Sequence, residues 1–223
     1  MTSLKEEIAA YKAASASRVP GDVQAIMRQA TAELKASGIK NRALKSGDTV
    51  PDFNLPNQHG EQRRLSDYLA GSLVVLNIYR GGWCPYCNME MKALQAVQAQ
   101  IEACGARLVG MAPETPDKAL STAERNGISI DILSDEGNRV AEALGLVFEL
   151  PQALRPIYEK FGIDIPAYNG DQSFKLPVPA TYIIGQDRVI TYAFVNADYT
   201  ERLEPSEIVA QLSKLRSLPG KLD

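Results

Sequence analysis

The segment Ile78-Tyr79-Arg80-Gly81-Gly82-Trp83-Cys84-Pro85-Tyr86-Cys87 carries two thiols separated by two residues. On the first turn of a helix that spacing brings both sulfurs within disulfide reach, the arrangement of a redox pair. A helix N-terminus leaves backbone N–H groups open and presents the positive end of its dipole, so it stabilises an anion. The pKa of a Cys-X-X-Cys thiol placed there can fall from about 8.5 to between about 3.5 and 7.5. Cys84, at the Ncap or N1 place, is expected to be the exposed nucleophile. Cys87, one turn inward, is expected to close the ring with it. Pro85 suits the first turn, where a missing N–H costs nothing. The alternatives are metal binding and a structural disulfide. A zinc site needs four Cys or His ligands, and outside the pair the chain holds only Cys104 and His59. A structural disulfide is uncommon in a reducing compartment.

Nearby residues bear on the sulfur. Arg80, at the exit of a strand, favours a Cys84 thiolate if it lies within several ångströms, and is otherwise a solvated loop charge. Trp83, the one tryptophan, reads as an apolar wall beside Cys84. Glu90, three residues past Cys87, complements the helix dipole in the first instance and relays a proton in the second. Cys104 beside Gly105 reads as a small apolar residue, with a regulatory thiol as the alternative. His59 lies in a polar turn and reads as solvated.

The elements that must hold this pair follow from periodicity. The apolar run Leu73–Tyr79 predicts a strand, and Cys84 to about Glu102 a helix with the buried stripe Met91, Leu94, Val97 and Ile101. A strand over Arg107–Ala112 follows Gly105. Thr115-Pro116 starts a helix that runs to about Asn126 and ends at Gly127. Ile130–Leu133 predicts a short strand. Asp135 caps a brief helix ending at Gly145, and Leu154, Ile157, Tyr158 and Phe161 mark another. Thr181–Ile184 and Val189–Val195 form a hairpin. Pro205 opens a last helix with Ile208, Val209, Leu212 and Leu215 inward, and fraying is expected after Ser217. Ahead of all this, Leu4, Ile8 and Tyr11 share one helical face, and Val23, Ile26, Met27, Ala30 and Leu34 share another, with Gly38 as the stop. Between Gly47 and Tyr68 a small hairpin is expected around Asn57-Gln58-His59-Gly60.

A βαβ unit, an insertion and a closing ββα is the order of a thioredoxin-like fold: α/β, with a central mixed sheet flanked by helices. Residues 45–217 would be the redox domain, 1–44 an N-terminal helical arm and 218–223 a tail. The arm's apolar stripes pack on the domain's flank or form a homodimer contact. In such a fold Pro179, just before the strand Thr181–Ile184, is expected to be cis and to face the dithiol. It would then aim the backbone of Val178 at an incoming peptide or thiol. Tyr86 and Val178 are the expected substrate contacts.

Composition narrows the class. At 223 residues, with 45% hydrophobic and 23% charged residues, the chain reads as one soluble domain with an extension. A net charge of −3 offers no basic footprint for nucleic acid or an anionic membrane. No apolar run approaches a membrane span. The first twelve residues include Lys5, Glu6, Glu7 and Lys12 and lack a signal-peptide core. With three cysteines, a cytoplasmic setting is expected.

On its motifs the chain resembles the alkyl hydroperoxide reductase/thiol-specific antioxidant branch of the thioredoxin superfamily, in its peroxiredoxin-like members. The resembling residues are Gly47-Asp48-Thr49-Val50-Pro51-Asp52-Phe53, Tyr79 to Cys87, Pro177-Val178-Pro179-Ala180-Thr181-Tyr182 and Asp198-Tyr199-Thr200-Glu201-Arg202. The family carries a proline, a threonine and a peroxidatic cysteine at fixed spacing, and a later arginine. Matching Cys87 to that cysteine puts Cys84 in the threonine's place, Arg80 in the proline's and Pro179 in the arginine's. Cys-Pro-Tyr-Cys itself is similar to the dithiol of glutaredoxins.

The resemblance implies a thiol-dependent peroxidase. Cys84 would attack a hydroperoxide, Cys87 would close the Cys84–Cys87 disulfide, and thioredoxin, glutaredoxin or glutathione would restore the thiols. A thiol–disulfide oxidoreductase acting on disulfide substrates is the second expectation, a redox sensor without turnover the third. No metal, flavin or nucleotide cofactor is implied.

Overall fold

A computed structural model describes residues 2–217. The tail expected to fray lies outside these residues. The chain opens with α1 (Leu4–Ala16), α2 (Gly21–Ala36) and α3 (Ile39–Arg42). Ser3 starts α1 with a capping box: its hydroxyl accepts from the Glu6 N–H, and the Glu6 carboxylate accepts from the Ser3 N–H. The hairpin β1 (Asn54–Pro56) and β2 (Gln62–Arg64) follows, antiparallel as its turn signal predicts, then α4 (Leu65–Leu69).

The central unit is β3 (Leu73–Ile78), α5 (Pro85–Ala96), α6 (Gln98–Ala103), β4 (Ala106–Ala112), α7 (Pro116–Asn126) and β5 (Ile132–Ser134). Next come α8 (Arg139–Ala143), β6 (Val147–Glu149), α9 (Arg155–Lys160), α10 (Ile165–Asn169) and β7 (Lys175–Pro177). The chain closes with β8 (Ala180–Ile184), β9 (Ile190–Val195) and α11 (Pro205–Arg216). The five-stranded sheet has the order β5-β4-β3-β8-β9; β3, β4 and β5 are parallel, and β8 pairs antiparallel with both β3 and β9. This is the mixed, thioredoxin-like sheet that the element order predicts.

β3 lies at its centre, and all six of its residues are buried. Alternation along the strand sends Val74, Leu76 and Ile78 to one core and Leu73, Val75 and Tyr79 to the other. The second core also holds Cys84, Cys87, Met91 and Leu94, with Ile208 and Leu212 of α11. The thiol helix is thus held against the sheet by its own apolar stripe.

Several elements differ from expectation for local reasons. The helix expected over Cys84 to Glu102 breaks at Val97, whose φ of −107° and ψ of 7° separate α5 from α6. The strand expected at Ile130 begins at Ile132. The insertion contains an unforeseen ladder, β6 against β7, pairing Val147 with Pro177 and Glu149 with Lys175. The arm packs on the flank: α1 lies against α5, and Val23, Met27 and Ala30 of α2 pack with Leu150, Leu154 and Tyr158 of the insertion. Among the described residues no helix is long and apolar enough to cross a membrane.

Candidate active site

The turn that leaves β3 is built to bring α5 in at one angle. Gly81 has a φ of +140°, a conformation that favours glycine. A Cβ on Gly82 would stand 1.9 Å from Thr122 Oγ1 on α7, so only glycine fits there. The Gly82 N–H donates to Glu114 Oε1 at 2.8 Å, and Asn88 Nδ2 donates to the Gly82 carbonyl at 2.9 Å. Cys84 then takes the N-cap, with φ −90° and ψ 114°, and Pro85 the first helical position. Cys87 lies one turn in.

Both thiols are free and buried, Cys84 at 2% exposure and Cys87 at 0%. Expectation had Cys84 exposed; instead aromatic rings close over it. The two thiols titrate in opposite directions. Burial pushes Cys84 up, but hydrogen bonds from the Cys87 side chain and backbone, with the charges of Arg80 and Arg202, outweigh it and bring the thiol down to about 6. Burial and the neighbouring Cys84 sulfur both push Cys87 well above the ordinary thiol range.

Arg80 is no solvated loop charge. It is buried at 2% exposure, and its Nη2 donates to the Tyr158 hydroxyl at 2.6 Å. Its guanidinium lies 4.8 Å from the Trp83 ring centre and 4.4 Å from that of Tyr199. Among the described residues no carboxylate pairs with it within 4.0 Å. A buried cation without a counter-ion costs several kcal/mol, and a charge on the Cys84 sulfur would offset that cost. Trp83 is thus both the wall expected beside the sulfur and one face of the Arg80 cage.

Glu90 has a role the sequence reading did not assign. Its carboxylate accepts from Arg202 Nε at 2.7 Å, with both side chains almost wholly buried. Burial pushes it up to about 7 against the pull of Arg202. The same guanidinium donates through Nη2 to Cys87 Sγ at 3.3 Å. A second buried carboxyl, Glu114, is likewise pushed up to about 7, first by burial, while its bond from Gly82 pulls the other way.

A cleft of about 540 Å³ reaches Cys84, walled by Tyr11, Trp83, Tyr86, Tyr158 and Tyr199. Tyr86 is central to it, with its ring centre 5.4 Å from that of Tyr11 and 5.6 Å from that of Tyr199. The expectation for Pro179 and Val178 is corrected. No peptide bond among the described residues is cis. The Val178 N–H is taken by the Leu146 carbonyl at 2.8 Å, continuing the β6–β7 ladder, so it cannot point at a substrate. Val178 and Pro179 line a separate small cavity of about 110 Å³ with Arg80, Tyr158 and Tyr199. His59 is exposed in its turn, and Cys104 Sγ lies beside Ser213 Oγ at 3.7 Å, away from the pair.

Sequence reasoning missed Arg202, Glu114, Tyr158 and Tyr199. Arg202 and Tyr199 lie in a tail segment that the resemblance had already marked. Glu114 and Tyr158 carry no local signal, because only the fold brings Glu114 to the Gly82 N–H and Tyr158 to Arg80 at the cleft wall.

The AhpC/TSA family model matches residues 46–193. Peroxiredoxin Bcp of Escherichia coli strain K12 is 32% identical over 103 residues, 46% of this chain and 65% of that protein. The match thus spans just under two thirds of that relative's length. The crystal structure of peroxidoxin BcpB from Mycobacterium tuberculosis aligns at 26% identity with a TM-score of 0.62, covering 78% of this chain and 99% of that one. PrxQ of Xylella fastidiosa, at 18% identity and a TM-score of 0.59 over 78% of this chain and 96% of that one, shares the fold.

Proposed function

The chain belongs to the AhpC/TSA family, and from that premise we propose that it is a thiol-dependent peroxidase working through Cys84 and Cys87. The observation that carries this reading is the Cys84 thiol, lowered at the foot of an aromatic cleft with a second free thiol one helical turn away. The Cys84 thiolate attacks the terminal oxygen of a hydroperoxide; the S–O bond forms as the O–O bond breaks, and the departing alkoxide takes a proton from water. Cys87 attacks the sulfenic sulfur, forming the disulfide and releasing water. Two external thiols, from the thioredoxin, glutaredoxin or glutathione class, then reduce it.

Each charged neighbour acts at one stage. Arg80 and the helix N-terminus hold Cys84 as thiolate before attack. Arg202 holds Cys87 as the leaving thiolate during reduction, and Glu90 orients Arg202. Trp83 and Tyr86 shape the approach. Residues 45–217 form the redox unit, with residues 1–44 walling its cleft, and the reaction belongs in a reducing compartment such as the cytoplasm.

Because Trp83 directly precedes Cys84 and no other tryptophan is present, its fluorescence reports the cycle. Mixed with an organic hydroperoxide, the reduced protein should change fluorescence at a rate proportional to peroxide and consume one peroxide per two thiols. Turnover of a small disulfide with peroxide left untouched would overturn the peroxidase reading in favour of a disulfide oxidoreductase.

A further inference from the structure

We propose that the small cavity behind Arg80 is a binding site for a monocarboxylate with a short alkyl chain. The carboxylate sits on Arg80 and the chain lies against α2 and the insertion. The peroxidase cycle proposed above makes no use of this cavity. Its two ends differ in chemistry. The inner end is formed by Arg80 with Tyr158 and Tyr199. Arg80 is 2% exposed, and its Nε has no hydrogen-bond partner among the described residues. Nη2 donates to the Tyr158 hydroxyl at 2.6 Å, and the guanidinium lies over the rings of Tyr199 and Trp83 at 4.4 Å and 4.8 Å. Among the described residues no carboxylate comes within 4.0 Å of it. Aromatic rings attract a cation but supply neither a charge nor an acceptor in the plane of the guanidinium. A carboxylate matches that planar fork best.

The rest of the wall is apolar: Met27, Ala30 and Leu34 of α2, Phe148 and Leu154 of the insertion, and Val178. Polar backbone and hydroxyl groups along it are already used. The Val178 N–H donates to the Leu146 carbonyl at 2.8 Å, and the Thr31 hydroxyl to the Met27 carbonyl at 3.0 Å. Pro179 has no N–H to give. An ordered water needs about two to four polar partners, and this wall offers them at one end only. An occupant with one anionic end and an apolar remainder suits both ends. At about 110 Å³ the space takes a chain of a few carbons, not a long acyl chain.

The mouth carries two exposed carboxylates, Glu33 and Glu149, and both are engaged. Gln29 Nε2 donates to Glu33 at 2.7 Å, and Arg155 pairs with Glu149 at 2.5 Å. Water and salt screen these two charges, whereas the charge of Arg80 acts out of water. Arg80 also lines the cleft that reaches Cys84. A Cys84 thiolate therefore competes with the occupant for the same cation, and the site is strongest where Cys84 is neutral.

Isothermal titration calorimetry of the reduced protein at about pH 5.5, where the acid is mostly ionised and Cys84 mostly is not, reads binding directly and needs no turnover. Hexanoate should bind at one site per chain. Hexan-1-ol, with the same chain and no charge, should bind about tenfold more weakly or worse. From butanoate to hexanoate the affinity should rise about fourfold per methylene, as burial in an apolar wall requires. Ala30→Leu, which fills the cavity from α2 and leaves Arg80 in place, should weaken hexanoate by about tenfold. Arg80→Met should erase the preference for hexanoate over hexan-1-ol, with thermal unfolding as the check that it folds. Should that variant not fold, the alcohol comparison and Ala30→Leu decide. The proposal is overturned if hexanoate does not bind, if hexan-1-ol binds as tightly, or if Ala30→Leu leaves hexanoate binding unchanged.

Discussion

Two identical side chains one helical turn apart differ in acidity here because burial, which opposes charge on both, is offset on only one of them. Cys84 sits at the N-cap with Cys87 donating to it and Arg80 caged nearby, whereas Cys87 sits deeper, next to the anion that Cys84 becomes. Cys84→Ser should therefore abolish alkylation of the dithiol by iodoacetamide at neutral pH, leaving only the label on the partly exposed Cys104. Cys87→Ser should leave Cys84 reactive but trapped as a sulfenic acid or mixed disulfide, visible by mass spectrometry. The reverse pattern would exchange the two roles. Arg80→Met removes a buried charge that favours the thiolate; the apparent pKa of Cys84 should rise by about one unit, which at a pH below both values is about tenfold less thiolate. An alkylation pH profile reads this directly, and an unchanged profile would show that Arg80 serves only to pack Trp83 and Tyr199.

At the scale of elements, the site depends on how α5 enters the sheet. Gly82 touches α7 so closely that Gly82→Ala should destabilise the fold by about 1–3 kcal/mol, measured by urea unfolding, and should misplace the Cys84 N-cap. A variant as stable as wild type would mean that α7 moves freely. Elements whose own residues specify them were legible in the sequence. Leu73–Ile78 reads as a buried strand because both its faces are covered, and Pro116–Asn126 reads as a helix because Thr115 and Gly127 bracket it. The β6–β7 ladder was not legible, since three-residue strands far apart in sequence carry too little period to show a register. That omission also misled the reading of Val178, whose N–H continues this ladder rather than facing the thiols. The dithiol could be read from spacing alone, and Arg80 from its place just before it; Arg202 and Glu114 could not, because they come from segments distant in sequence.

Over the whole molecule, the arm and the segment that follows β9 are tied together above the cleft. The Lys5 N–H donates to the Glu204 carboxylate at 2.6 Å, Lys12 Nζ to Thr200 Oγ1 at 3.0 Å, and Lys35 pairs with Asp198 at 3.0 Å. Tyr11→Ala on α1 should open the wall over Tyr86 and speed alkylation of Cys84 by a bulky maleimide more than by iodoacetamide; equal acceleration of both would contradict a steric role for the arm. Redox state couples to stability with a definite sign. Cys84 is depressed in the folded chain, so its contribution is fully present above the unfolded thiol pKa and is lost as pH falls through about 6. The disulfide form has no such term. The stability of reduced relative to oxidised protein should therefore fall between pH 8 and pH 5, measured by denaturant unfolding of each form, and a pH-independent difference would contradict the assignment. The most direct measurement of the central claim is the ultraviolet thiolate absorbance of the reduced Cys104→Ser protein titrated with pH, in which Cys84 ionises well before Cys87. The account predicts a midpoint near 6, with the sulfur ionised at neutral pH; a midpoint at or above the ordinary thiol value of about 8.5 would contradict it.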